Sequence, residues 1–305
     1  MQGFRTGGTS VFLTEGSKNY KTYERHQREN RSLRSHGLLE HILHHLENDD
    51  TESFVQQIWT AGTDGLTDKA TALLGIIRYT LTSFHLVFSN VSLLTQNHER
   101  TPFIENIVSS LLSLSKITGF VEFKWCETEF TSNKHLEISK SSCNQRPGKY
   151  VDALGFLKTS NNMDIVIIEA SSGQLKERTM HTIEDCLKLL EYGVSSLKKE
   201  AILNKNSSIA TFRKLKAFAI QIIKNQVTLS ELFMNDQKSW FFIKKRTATI
   251  SSSWYDRILF VQYLELVATL FDDLCEAQHV FKQLMKENLG LLLNEGPSVV
   301  TMFEE

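Results

Sequence analysis

Two carboxylates stand inside the stretch GKYVDALGFLKTSNNMDIVIIEASSG, residues 148–173. Asp152 opens one run of strand-forming residues, 150–157, and Glu169 closes another, 164–170. The polar tip KTSNNM between them reads as a hairpin loop. Pairing Leu157 with Asp164 leaves loop residues 158–163 and sets Asp152 directly opposite Glu169. Side chains paired in this way on one face stand about 5 Å apart at Cβ. Leu154 and Phe156 share that face with Ile165 and Ile167, so the two acids close the end of an apolar surface. Like charges set opposite each other destabilise a sheet unless something positive lies between them. A divalent cation bridged by both carboxylates is one chemical answer. The other is that each acid is simply a polar strand end in contact with water.

Other groupings carry weaker chemistry. His181, Asp185 and Lys188 fall at i, i+4 and i+7 on one helical face. That face lies opposite the apolar stripe of its helix, so the three are expected to point away from the sheet as an exposed ion-pair ladder. His41, His44 and His45 have metal-ligand spacing, but nothing nearby completes a set, and they read as packing or surface histidines. EASSGQ has one glycine and no G-K-[ST], and no G-x-S-x-G surrounds Ser171 or Ser172. Residues 198–246 hold eleven Lys/Arg against three Asp/Glu. There Lys244, Lys245 and Arg246 follow Trp240, Phe241 and Phe242, a mixture suited to phosphate backbones and unstacked bases. Strand alternation sends Lys244 and Arg246 to one face and Lys245 to the other. The plain alternative is a solvated basic surface, balanced by nine acidic and three basic residues over 256–305.

These groups need elements to position them. Residues 1–30 read as a partly disordered segment, with Lys18, Lys21, Arg25, Arg28, Arg31 and Arg34 forming a basic stripe interleaved with glutamates. Residues 31–117 show only helical patterns, among them LLEHILHHLEN, ATALLGIIRYTLTSFHLVF and RTPFIENIVSSLLSLSKI. At TGFVEFKWCETEF the period changes to that of a strand. After the hairpin comes a helix over roughly 178–204, with Ile183, Leu187, Leu190, Val194 and Leu197 as its expected buried stripe. KAFAIQIIKN, QVTLSELFM and SWFFIKKRTATI are three further strands, and a long helix closes the chain before a tail at 291–305. The expected fold is α/β. A mixed or mainly antiparallel sheet of five to six strands spans 118–290, with a crossover helix, N-terminal helices and a long C-terminal helix.

The chain has 305 residues, 41% of them hydrophobic, enough for a sizeable core. Its 34 basic and 35 acidic residues name no partner by net charge. Four cysteines without a C-x-x-C pair suggest reduced thiols in an intracellular protein, cytoplasmic or nuclear. The N-terminus has no apolar signal core. The run at 79–96 carries Thr, Ser, Asn, Gln and His and reads as a buried helix rather than a membrane span.

An acid entering one strand, a hairpin, then IVIIEAS, a crossover helix and a further strand resembles the PD-(D/E)xK superfamily of restriction-endonuclease-like nucleases. Residues 148–288 are also similar to fungal proteins with a degenerate version of that core. The resemblance implies that Asp152 and Glu169 hold Mg²⁺, and that Glu105 matches the superfamily's helical glutamate. Ser171 stands where the superfamily has its lysine, and Val151 precedes Asp152 in place of proline. Lys176 on the crossover helix, or Lys124 on the first strand, would then supply the missing charge. The implied activity is Mg²⁺-dependent cleavage, or binding, of DNA or RNA. The alternative is a catalytically inactive interaction or scaffolding protein that retains the core.

Overall fold

The computed structural model describes residues 4–6, 9–11, 25, 27, 29–48, 50–89, 101–132, 149–158, 162–171, 179–236, 239–294 and 296–302. Most of the expected disordered segment at 1–30 lies outside them. A small hairpin pairs β1 (Phe4–Thr6) with β2 (Thr9–Val11). Four helices follow: α1 (Arg31–Ser35), α2 (Leu39–Glu47), α3 (Phe54–Thr60) and α4 (Asp68–Phe88). Thr67 starts α4 by accepting a hydrogen bond from Ala70 N–H on its side chain at 3.2 Å. A π-helical turn, Ile104–Val108, leads into α5 (Ser109–Thr118), which stops at Gly119 in the left-handed conformation at φ 73°.

The sheet then follows the chain without exchange of neighbours. β3 (Val121–Glu129), β4 (Tyr150–Leu157), β5 (Met163–Ser171), β6 (Ala217–Ile223), β7 (Gln226–Met234) and β8 (Trp240–Thr249) lie side by side in that order. Every pair is antiparallel except β5–β6, which is parallel because α6 (Thr179–Leu203) crosses over between them. A short helix, α7 (Ile209–Phe212), precedes β6, and α8 (Phe260–Asn288) closes the fold. The expected architecture, a mostly antiparallel α/β sheet with a crossover helix and a long C-terminal helix, is the one observed.

The sheet has two different faces. Glu169, Leu232 and Lys244 lie on the face covered by α6, where Gly193 of the helix closes onto Leu232. Glu231, Lys245 and Arg246 lie on the face covered by α8, with α5 against β3 and α4 behind it. One hydrophobic cluster runs from Leu33 through the α4 residues Leu73, Ile77 and Phe84 to the sheet and on to Leu284 and Val299. Among the described residues α4 alone is long and apolar enough to cross a membrane, and it contributes its apolar side to this core. The tail returns to the body: Ser298 bridges Ser208, and Val299 N–H donates to Ser207 C=O at 2.8 Å.

Two expected alternations are broken by bulges. In β4–β5 the register expected near the acids holds at Ala153↔Ile168, Leu154↔Ile167 and Gly155↔Val166. It then slips by one, giving Phe156↔Asp164 and Leu157↔Met163, so Ile165 is an extra residue and Leu157 faces Met163 instead of the expected Asp164. The slip turns buried Asp164 to the Ser132 hydroxyl, which donates to its Oδ2 at 2.5 Å. In β8 the ladder shifts between Leu229↔Arg246 and Ser230↔Lys244. Lys245 is therefore the extra residue, and Lys245 and Arg246 both turn to α8, not to opposite faces as simple alternation requires.

Candidate functional site

The β4–β5 ladder ends at Ala153↔Ile168, the pair next to the two acids, and the Asp152 charge lies near enough to Glu169 to raise its carboxyl. Asp152 Oδ2 accepts a hydrogen bond from Ala170 N–H at 2.8 Å, which anchors it at the mouth of the hairpin. Glu169 is 5% exposed and faces α6. The positive charge that such a pair requires comes from a protein side chain: the Lys188 ammonium forms an ion pair with Glu169 Oε1. Burial pushes the Glu169 carboxyl up to about 7, against the pull of Lys188, and the Asp152 and Asp185 charges push the same way as burial. Geometry and charge thus gather Asp152, Glu169 and Lys188, with Asp185 within electrostatic reach.

This corrects the first part of the stripe expected on α6. Lys188 does not stand on an outward ladder; it looks at the sheet. Ile183 and Leu187, expected in the buried stripe, are 48% and 39% exposed. Further along, Leu190 and Val194 pack against the core and Leu197 is buried, as the stripe predicts. Lys188 turns inward because the sheet face beneath the helix is itself polar at Asp164 and Glu169. Buried polar groups must find polar partners. Lys188 meets Glu169, the Ser196 hydroxyl donates to Asp164 C=O at 2.5 Å, and Lys199 donates to Asn162 C=O at 3.1 Å. An apolar stripe alone carries no signal for this. The usable signal was the lone acid in IVIIEAS, which demanded a cation from the covering helix.

A second feature missed from sequence borders the site. Trp125 pairs with Ala153 and Thr128 with Val151, so Cys126 and Glu127 bulge opposite Asp152. Both have left-handed backbone, at φ 63° and 48°, an unfavourable choice for non-glycine residues and common beside functional groups. The shell on the α6 side is aromatic. Tyr192 stacks on Phe130 at 4.6 Å, and the ammonium groups of Lys188 and Lys149 lie 6.0 and 5.3 Å from its ring centroid.

The remaining expected site residues fall elsewhere. Glu105 is exposed on the π-helical turn, which packs with α4 and α5. Lys176 lies outside the described residues, and of Ser171 the backbone alone is described, paired with Ile223. Lys124 shares the face of Leu154, but its ammonium sits 5.3 Å over the Phe156 ring, away from Asp152. Lys245 is held by Asp273, at 2.6 Å, and by Glu231. Arg246 is 4% exposed, beside Glu265 at 4.0 Å and bonded to Asn30 Oδ1 at 3.1 Å. Of that trio only Lys244 is exposed. His41, His44 and His45 form a ring cluster with centroids 4.7 and 5.5 Å apart.

Among the described residues no three His, Cys, Asp or Glu side chains are placed to hold a metal ion. A pair of neighbouring carboxylates does match what Mg²⁺ takes from a protein, one or two carboxylates with water completing its shell. The chain matches no protein-family model, no curated protein and no solved structure.

Proposed function

We propose that Asp152, Glu169 and Lys188 form a phosphodiester-cleaving centre of PD-(D/E)xK type, its lysine moved from the strand position now held by Ser171 to the crossover helix. The observation that carries this reading is the convergence of the Lys188 ammonium on Glu169 beside Asp152. Asp152 and Glu169 would hold Mg²⁺, which when bound supplies Lewis acidity and an activated water. Lys188 then places a fixed positive charge where negative charge develops on the phosphoryl oxygens. The substrate is DNA or RNA. Lys205, Lys214, Lys224 and Lys244 remain exposed in the basic region to meet its backbone. Among the described residues Cys126, Cys186 and Cys275 are free thiols, in keeping with action in a reducing, intracellular compartment.

A second reading draws on the same contact. Lys188 already neutralises Glu169, so the pair is complete without a metal, as in a non-catalytic interaction protein that keeps the core. Cleavage of labelled single-stranded and duplex DNA and RNA, with Mg²⁺, Mn²⁺ or EDTA, separates the two. The catalytic reading expects metal-dependent products from the wild type, lost in Asp152→Ala, Glu169→Gln and Lys188→Met. Products that persist in Asp152→Ala refute it. Binding without products in the wild type selects the second reading.

A further inference from the structure

Lys149 and Lys188 come from different elements, the residue before β4 and the middle of α6, yet both reach the ring of Tyr192. The ring is a fixed platform. It is 4% exposed and lies against Phe130 at an interplanar angle of 6°. An ammonium is attracted to the negative face of an aromatic ring within about 6 Å of its centroid. Two ammonium groups drawn to one ring also repel each other, so their approach needs anions. In this structure Glu169 answers Lys188, and Glu191 answers Lys149.

The two counter-ions are not alike. Glu169 is buried within the carboxylate pair, but the Glu191 side chain is 59% exposed. An exposed ion pair contributes little and exchanges readily. The Lys149 and Lys188 side chains keep 29% and 31% of their own surface open, so each remains accessible to an incoming anion. A group with several acceptor oxygens can engage two ammonium ions at once with a strong charge-assisted bond to each, and phosphate has that form. The position is also suggestive, since Lys149 lies three residues before Asp152 and Lys188 is already on Glu169.

We infer that Lys149 and Lys188, gathered on the Tyr192 ring, form a phosphate seat at the mouth of the Asp152–Glu169 pair, with Glu191 as the counter-ion that phosphate displaces. This rests on reading Asp152, Glu169 and Lys188 as the reaction site, and it adds the group that the site grips. The phosphate belongs to a substrate backbone or to a free phosphate or nucleotide.

The test is a calorimetric titration of the full chain in EDTA with three probes. These are inorganic phosphate, a nucleoside monophosphate and a single-stranded oligonucleotide with phosphorothioate linkages. The expected result is about 5- to 10-fold weaker binding in Lys149→Gln, with a salt slope shallower by about 0.7 for the oligonucleotide. Tyr192→Leu, which removes the platform, should behave alike, whereas Tyr192→Phe, which keeps the ring, should bind as the wild type does. Glu191→Gln releases Lys149 and should tighten binding, a response that a purely structural role for these residues does not produce. Tighter binding of the oligonucleotide than of the small anions assigns the seat to a backbone; equal binding assigns it to free phosphate. Wild-type affinity and salt slope in both Lys149→Gln and Glu191→Gln overturn the seat, as does absence of binding by all three probes. Seat-dependent binding without cleavage retains the seat and removes the hydrolytic reading. Cleavage indifferent to Lys149 and Glu191 does the reverse.

Discussion

Glu169→Gln should make the protein more stable above about pH 4.5, with the gain growing to its full size just above neutral pH. The side chain is buried, and its carboxyl is raised from 4.5 to about 7, first by burial and then by Asp152 and Asp185. The folded state therefore binds more protons than the unfolded chain between these values. Its share of stability is fully present below about pH 4.5 and is lost as pH rises through about 7. At about 1.4 kcal/mol per pKa unit, the charged carboxylate at pH 8 costs the fold about 3 kcal/mol. Glutamine has nearly the shape of the protonated acid and carries no charge, so it escapes this cost. Unfolding entropy of about 2.1 cal/mol/K per residue gives about 0.6 kcal/mol/K for this chain, and the gain becomes a rise in Tm of about 5 °C.

The assay is thermal unfolding of wild type and Glu169→Gln in EDTA, in steps from pH 4.5 to 8.5. The two curves should coincide at the acid end and separate through neutrality. A constant difference at every pH would show that Glu169 is not the titrating group. A less stable variant at pH 8 would show that the Lys188 pair outweighs the burial of the carboxylate. Either result removes the argument that this acid is retained at a cost to the fold, which is the strongest physical reason to assign it a function.

Four further outcomes follow from the geometry. Lys188→Met should cost about 1–3 kcal/mol at pH 8, below the range for fully buried pairs because Lys188 is partly solvated; denaturant titration should show the loss shrinking at pH 5, and equal losses refute the pairing. His41 and His45 are lowered from 6.5, mainly by burial, with Arg78 and neighbouring imidazoles adding to it. The folded state thus binds fewer protons, stability falls as pH drops below about 6.5, and His41→Gln/His45→Gln should flatten the Tm decline between pH 7 and 5; parallel declines refute this. Gly155→Ala places a Cβ 2.6 Å from Phe123 Cε1 and 3.0 Å from Val166 Cβ, and should lower stability by about 1–3 kcal/mol in urea unfolding. Lys244→Ala should reduce the salt slope of nucleic-acid binding by about 0.7–0.9 with an unchanged Tm, whereas Arg246→Met should lower Tm; the reverse pattern would place the phosphate contact at Arg246.

The parts of the fold legible in the sequence are those governed by apolar periodicity. Strand alternation at 150–157 and 164–170 was enough to set the register next to the two acids, Ala153↔Ile168 and Leu154↔Ile167, because a one-residue slip there would turn Leu154 and Ile167 out of the core. The hidden parts depend on polar groups distant along the chain. The β5 bulge follows from Asp164 meeting Ser132, 32 residues away, and the β8 bulge accompanies the reach of Lys245 to Asp273. The inward turn of Lys188 on α6 follows from Glu169 beneath it. Each time, an apolar pattern correct for an all-apolar neighbour met a polar one, and the polar partner decided the phase.

That rule separates sealed polar clusters from open ones on this sheet face. At one end of α6, Asp164 gathers Ser132 and the charge of Lys199, and all three are nearly sealed from water. Its partners come from inside the fold, and nothing can be exchanged there without opening it. At the other end, Asp152, Glu169, Lys188 and Lys149 make the same kind of contacts, but the lysines keep about a third of their surface in water. Sealed polar contacts fix the register of a helix on a sheet. Open ones hold charge near neutral pH in a place that a ligand can reach, and they do so at a cost that an apolar substitution would relieve. The cluster at the mouth of the hairpin is therefore the one on which the proposed chemistry is tested, and the cluster at its tip is the one that fixes α6 on the sheet.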